Sequence, residues 1–192
     1  KKAAEDRVTH LGLAPGGMDA LSVLPGTFFG PGDINHNAGQ YILQSARGRL
    51  QVAPPGGTSV VHVDDVARGH LLALERGQRG GRYILGGENL TYHQLFSMIA
   101  RALGQTPPRW TLPGGVMEAA GRASDWLRSR TGAPLPLSAG LTRAASVRLF
   151  YASDHARREL GYAFRPASEA IHDAVAWYAR EGALGRVKGL QV

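Results

Sequence analysis

The chain has 192 residues, 43% of them apolar, and carries a formal net charge of +7 with a pI of about 10.2. That is enough apolar material for a core, and no run of about 18 apolar residues exists to span a membrane. The absence of cysteine excludes disulfides and thiol catalysis and fits a reducing compartment such as the cytoplasm.

The sequence opens inside a helix, with Ala4, Val8 and Leu11 at helical spacing and Leu11-Gly12 as its stop. A loop over Ala14 to Gly17 leads to Leu21-Ser22-Val23-Leu24, which reads as a strand buried on both faces. Pro25 has no N–H and ends ladder pairing there. Gly26, Gly30, Pro31 and Gly32 then form a tight loop that lets backbone approach a ligand at the carboxyl end of a strand. A helix follows from Gln40 to Arg47, an extended piece from Leu50 to Ala53, and a firm loop at Pro54-Pro55-Gly56-Gly57. Ser59 to Val63 is a β-type run. Asp64 or Asp65 caps the next helix, whose inward positions are Val66, His70, Leu72 and Ala73.

Arg82 to Leu85 is another strand, closed by Gly86-Gly87. Thr91 and Gln94 then form a capping box, with Leu90 and Leu95 at the staple positions. Leu95, Met98, Ile99 and Ala102 make the apolar face of that helix, which Gly104 ends. Trp110 to Leu112 is a short strand. Val116 to Arg128 is an amphipathic helix that buries Val116, Ala120, Ala123 and Leu127. Ser138 to Leu149 gives no firm pattern. Ser153 or Asp154 caps a short helix to Leu160-Gly161. Ser168 caps the last helix, which buries Ile171, Val175 and Tyr178 and stops at Gly182. Arg186 to Val192 reads as a loose tail.

The chemistry-bearing residues narrow the field by what they lack. The seven histidines, at 10, 36, 62, 70, 93, 155 and 172, show neither an H-x-H nor an i, i+4 pair. No metal site is expected, because three or four ligands must converge. Asp64-Asp65 is a carboxylate pair, but a helix cap with a solvated neighbour explains it without acid–base work. There is no G-x-S-x-G elbow for a nucleophilic serine and no G-x-G-x-x-G phosphate cradle. The arginines are scattered without interleaved aromatics, which favours a solvated basic surface over a nucleic-acid-binding module.

Five blocks in order carry a resemblance. They are Lys1-x-x-Ala4-Glu5-x-x-Val8, Leu24-Pro25-Gly26-Thr27-Phe28-Phe29-Gly30-Pro31-Gly32-Asp33, Val61-His62-Val63-Asp64-Asp65-Val66-Ala67, Gly81-Arg82-Tyr83-Ile84-Leu85-Gly86-Gly87-Glu88-Asn89-Leu90-Thr91, and Ala156-Arg157-Arg158-Glu159-Leu160-Gly161-Tyr162. Together they resemble the C-terminal half of an extended short-chain dehydrogenase/reductase, of the NAD-dependent epimerase/dehydratase superfamily. The resemblance is nearest to its dihydroflavonol-reductase-like and hopanoid-associated sugar-epimerase types.

The resemblance implies an α/β fold: the C-terminal part of a Rossmann-type NAD(P)-binding domain plus a small helix-rich substrate lobe, with the N-terminal half missing. Residues 1–87 would be the remainder of the Rossmann domain, with a lobe segment at about 34–60, and residues 88–192 mostly lobe. It sets Lys1 on the lysine of the family's Tyr-x-x-x-Lys motif, whose tyrosine lies upstream. There Lys1 would hold the nicotinamide ribose and lower the tyrosine pKa, as a neighbouring cation does. Pro25, Gly26, Thr27 and Phe28 would lie against the nicotinamide of NAD or NADP. Arg148 is the candidate for an anionic group of the substrate, and no metal is implied. Leu24 and Phe29 depart from the residues frequent in the family at those places. The implied activity is hydride transfer on a nucleotide-sugar-like or small carbonyl substrate, with the isolated chain inactive. A homodimer of the full-length parent is compatible with the same resemblance. The alternatives are a non-catalytic NAD(P)-binding regulatory relative and a basic interaction module.

Overall fold

A computed structural model describes residues 2–132 and 138–185. The first helix, α1 (Lys2–Leu13), runs through Gly12. Gly12 is a point of close approach and not a stop: a Cβ there would lie 2.6 Å from the Ala20 carbonyl oxygen and 2.9 Å from Gly80 N. Next comes β1 (Ser22–Pro25), which is only half-buried along its length, against the expectation of burial on both faces. It pairs in parallel with β5 (Arg82–Leu85), Ser22 opposite Arg82 and Pro25 opposite Leu85.

The strand does not stop at Pro25. Gly26 N still donates to Leu85 O at 3.0 Å, and the chain then resumes as β2 (Thr27–Phe29). This segment pairs in parallel with a different strand, β4 (Gly57–His62), with Thr27 opposite Val60. Pro25 has no N–H to donate, but Ser22 N and Gly26 N are donors to the β5 side, so that ladder runs past Pro25 and the extended segment passes from β5 to β4 at Gly26.

β4 is the central strand. It is buried at every residue and also pairs with β6 (Glu88–Thr91), antiparallel, and with β8 (Arg148–Leu149), parallel. Its polar residues are buried because each finds a partner. The Thr58 and Thr27 hydroxyls share a 2.7 Å bond. Ser59 Oγ accepts from Gly87 N at 3.0 Å. A separate short parallel pair joins β3 (Val52–Ala53) to β7 (Trp110–Thr111).

Two apolar clusters flank these strands. The larger gathers Val60, Leu90, Leu95, Ile99, Ile171 and Tyr178. It joins β4 and β6 to α2 (Gln40–Ala46), α4 (Tyr92–Ala102) and α8 (Ala167–Arg180). The smaller contains Val66, Ala73, Tyr83, Leu85 and Leu160. It joins β5 to α3 (Val63–Arg76) and α7 (Asp154–Leu160).

The α4 capping box forms as its sequence predicts, with Gln94 N donating to Thr91 Oγ1 and Thr91 N to Gln94 Oε1. Three other details differ from expectation. The cap of α3 is His62, whose Nδ1 accepts from Asp64 N at 3.0 Å. His70 lies on the exposed side of α3, and Gly69 is buried in its stead. The start of α8 has no side-chain cap from Ser168, and Ala167 N donates to Glu88 Oε2 at 3.1 Å.

The helical pair α5 (Gly114–Thr131) and α6 (Ala139–Ser146) reverses the sequence expectation. The helix exists, but it packs on α6 through Gly121, where a Cβ would lie 2.3 Å from Thr142 Oγ1. The faces of a helix are fixed at about 100° per residue. Burying Gly121 therefore turns Val116, Ala120, Ala123 and Leu127 outward, and all four are exposed. The C-terminal tail expected over 186–192 lies outside the described residues.

Candidate active-site cleft

A cleft of about 720 Å³ runs along β1, from Ser22 through Gly26, and on to Phe28. Val23, Pro25, Gly26 and Phe28 line it from the β1–β2 segment, Ile84 from β5, and Tyr151 from the stretch after β8. Its surface is mainly apolar, with one charged pair at the rim where Arg82 meets Glu5 of α1. Such a wall suits a flat ring that needs few hydrogen bonds.

The local sequence explains each wall residue. Pro25 is the last residue of β1, opposite Leu85. Gly26 sits where a Cβ would lie 2.8 Å from the Ser59 carbonyl oxygen, so β2 can approach β4 only with glycine there. Phe28 and Phe29 alternate as strand neighbours do. Phe29 is buried, and Phe28 keeps 41% of its surface exposed toward the cleft. Tyr151 is held by Asn89, which the sequence reading takes only as part of the fourth block and gives no role. Asn89 Nδ2 donates to Tyr151 O at 3.1 Å, and Tyr151 N donates to Asn89 Oδ1 at 3.1 Å. An asparagine in a Gly-Gly-Glu-Asn run reads as turn chemistry, and nothing in it signals a partner 62 residues away.

A second, smaller cleft of about 210 Å³ lies on the other side of Phe28, against Gly30, Gly32, Asp33 and Val63. The loop forming it is tightly tied. The Asp33 carboxylate accepts from Asn37 N at 2.9 Å and Gly39 N at 2.8 Å. The Tyr178 hydroxyl donates to Asp33 O at 3.0 Å and lies 3.1 Å from His36 Nδ1. Burial, together with the nearby Asp33 charge, pushes the Tyr178 phenol up to about 12, so it remains a donor at neutral pH. His36 adopts a positive φ of 52°, the only non-glycine residue to do so among the described residues. This loop is a fixed rim rather than a free flap.

Beneath the loop lies a charged network. His62 is 1% exposed. Its Nδ1 faces two donors, Asp64 N and Arg165 Nη2 at 3.2 Å. The proton therefore belongs on Nε2, which meets Asp173 Oδ2 at 3.2 Å. Burial raises the Asp173 pKa, but hydrogen bonds from His172 and His62 outweigh it and hold the carboxyl below its usual value. Asp65 is also buried and accepts from Arg165 N at 2.8 Å and Arg165 Nε at 3.1 Å. Every polar group of this network has a partner within the fold. The network ties α3 to α8 and does not open onto either cleft lining.

The residues singled out in the sequence therefore separate. Pro25, Gly26 and Phe28 line the larger cleft together. Thr27 does not, because its hydroxyl is bonded to Thr58 within the sheet. Arg148 is exposed on β8, outside the lining of either cleft. Lys1 lies outside the described residues.

Comparison with known proteins agrees with this geometry. Residues 1–86 match the model of the NAD dependent epimerase/dehydratase family. The chain is 32% identical over 172 residues to sterol demethylase protein B of Methylococcus capsulatus, covering 86% of this chain and 52% of that protein. It is 31% identical over 181 residues to a putative dihydroflavonol 4-reductase of Synechocystis, covering 90% and 52%. Among solved structures, gox2253 superposes with a TM-score of 0.78 at 41% identity, covering 94% of this chain and 55% of that one. A nucleoside-diphosphate-sugar epimerase from Pseudomonas aeruginosa gives a TM-score of 0.78 at 27% identity, covering 95% and 55%. The chain thus spans about half the length of the relatives it matches. Residues 1–86 thus match the NAD dependent epimerase/dehydratase family, and the chain shares the Rossmann-type α/β fold of the relatives it resembles over most of its length.

Proposed function

We propose that this chain supplies the nicotinamide-side wall and the substrate lobe of an NAD(P)-dependent oxidoreductase or epimerase. Its substrate class is a nucleotide-sugar-like molecule or a small carbonyl compound. The observation that carries the reading is the largely apolar cleft along β1, walled by Pro25, Gly26 and Phe28 and faced by Tyr151. These residues fit a nicotinamide: the wall offers a flat apolar surface, and Pro25 contributes no N–H to compete for its carboxamide. When bound, the cofactor accepts or returns a hydride.

The roles of the chain's own groups follow. The Pro25–Phe28 backbone sets which ring face points to the substrate. Phe28, shared by both clefts, separates the cofactor side from the substrate side and excludes water between them. The loop tied by Asp33 and Tyr178 forms the substrate rim. Lys1, on the family register, holds the ribose and lowers the pKa of a tyrosine supplied upstream. In this division of labour the 192 residues alone do not turn over substrate, and the phosphate cradle and catalytic tyrosine belong to a preceding segment.

The test compares the 192-residue chain with the polypeptide read from further upstream. NADH and NADPH binding is followed by cofactor fluorescence, and turnover by absorbance with nucleotide sugars and with small ketones. Binding and turnover only by the longer polypeptide support the proposal. Turnover by the 192-residue chain overturns the division of labour, and no NAD(P)H binding by either overturns the function.

A further inference from the structure

Helix α5 turns its apolar stripe away from the fold. Val116 is 54% exposed, Trp126 60% and Leu127 42%. Ala119, Ala120 and Ala123 complete the stripe and are exposed too. At about 100° per residue these six positions fall within roughly 120° of the helix surface. The arrangement is built in, because Gly121, on the other side, is the contact with α6.

The charges on α5 are also sorted. Both of its acids are paired on the helix, Glu118 with Arg122 at 2.8 Å and Asp125 with Arg128 at 3.3 Å. Arg130 stands at the C-terminal end of the stripe, its guanidinium 5.3 Å above the Trp126 ring, with no acidic partner among the described residues. A tryptophan with an arginine over its ring is suited to a boundary that is apolar below and anionic above.

We infer that the exposed stripe of α5 docks this chain in the plane of an anionic lipid surface. Trp126, Leu127 and Val116 enter the acyl boundary, and Arg130 meets the headgroup phosphates. Charge selects this occupant over a second copy. The net charge of +7 opposes self-association and favours an anionic surface. Area argues the same way. An 18-residue helix is about 27 Å long. One stripe on it presents a few hundred Å², well below the roughly 800 Å² per partner of a stable protein interface. A lipid surface sets no such minimum. The helix lies on the surface rather than across it, since none among the described residues is long and apolar enough to span.

The experiment is co-sedimentation of the polypeptide read from further upstream, alongside the 192-residue chain, with phosphatidylcholine vesicles, with and without about 30 mol% phosphatidylglycerol. Trp126→Ser/Leu127→Ser and Arg130→Glu are the variants, and their melting curves are compared with the parent's to establish folding. The parent is expected to sediment with the anionic vesicles and at least fivefold less with neutral ones, since charge contributes. Binding should fade at about 0.5 M salt. The double variant should bind about tenfold more weakly, and Arg130→Glu should lose the preference for anionic lipid. Four results overturn the inference: no binding to either vesicle, equal binding by the folded double variant, vesicle binding by the 192-residue chain that the longer polypeptide lacks, or a concentration-dependent dimer of the parent that the double variant abolishes.

Discussion

Gly26 offers the sharpest test of how the cleft wall is held. A Cβ at this position would lie 2.8 Å from Ser59 O and 3.4 Å from Ser59 Cβ. The nearer atom is backbone of the central, fully buried strand, so it cannot swing aside as a flexible side chain would. Gly26 is not in the left-handed region, so alanine is allowed there as a conformer, and the cost is one of contact. Overpacking of this kind costs about 1–3 kcal/mol. Restricting the unfolded chain returns about 0.4–1 kcal/mol, which leaves Gly26→Ala destabilised by about 1–2 kcal/mol. For a chain of this length each kcal/mol shifts Tm by about 2–4 °C, so the expected fall is about 2–8 °C. Thermal melts followed by circular dichroism, with urea titrations at constant m, read it directly. A Gly26→Ala protein as stable as the parent would show that β2 does not depend on close approach to β4 and would refute the account of the wall.

Gly115→Ala should do the opposite: its Cβ meets nothing within 4 Å and it lies in α5, so alanine should stabilise by up to about 1 kcal/mol in urea titrations. Asp65→Asn removes the carboxylate that holds Arg165 through its backbone N and Nε and should cost about 2–3 kcal/mol by the same measurement. In alkaline titration at 295 nm, Tyr41 and Tyr178 should ionise near 12. Their raised values mean that the stability they contribute is whole below about 10 and is lost as pH rises from there through 12. Tyr178→Phe should delete one of these two late steps. At the acid end, Asp173 is held below 3.8, so its contribution is present above that value and is lost as pH falls through its lowered pKa. Asp173→Asn should flatten that part of the acid-unfolding curve.

Local chemistry made some elements readable and left others hidden. The capping box at Thr91 and Gln94 carries its own start signal within four residues, so α4 was legible to its cap. The Pro25–Gly26 segment was legible as a place where a strand changes its behaviour, but not as a handover between two partners. That depends on which strands come alongside, and nothing within the segment says so. α5 was misjudged in orientation because an alanine-rich stripe with valine and leucine looks like a core face. The contact with α6 is instead set by Gly121, which hydrophobicity ranks as nothing. His62 caps α3 in place of the aspartates because Asp65 is drawn to Arg165, 100 residues on. β6 went unseen because Glu88 to Thr91 gains its strand character only from pairing with β4. In the site, the Pro25–Phe28 wall came from a motif, whereas Tyr151 and its Asn89 clamp came only from the fold.

The segment that leaves β5 and joins β4 has a consequence for how the molecule can change over time. Its few backbone atoms are pinned from both ends, by the Gly26–Leu85 bond on one side and by the Thr27–Val60 register on the other. Displacing it would break pairing in two ladders at once. The tied loop after Phe29 and the α5–α6 pair hang outside that joint. Substitutions or insertions in those appendages can reshape what is recognised while the joint keeps its place. The same backbone can thereby keep one constant apolar wall while the surface around it varies.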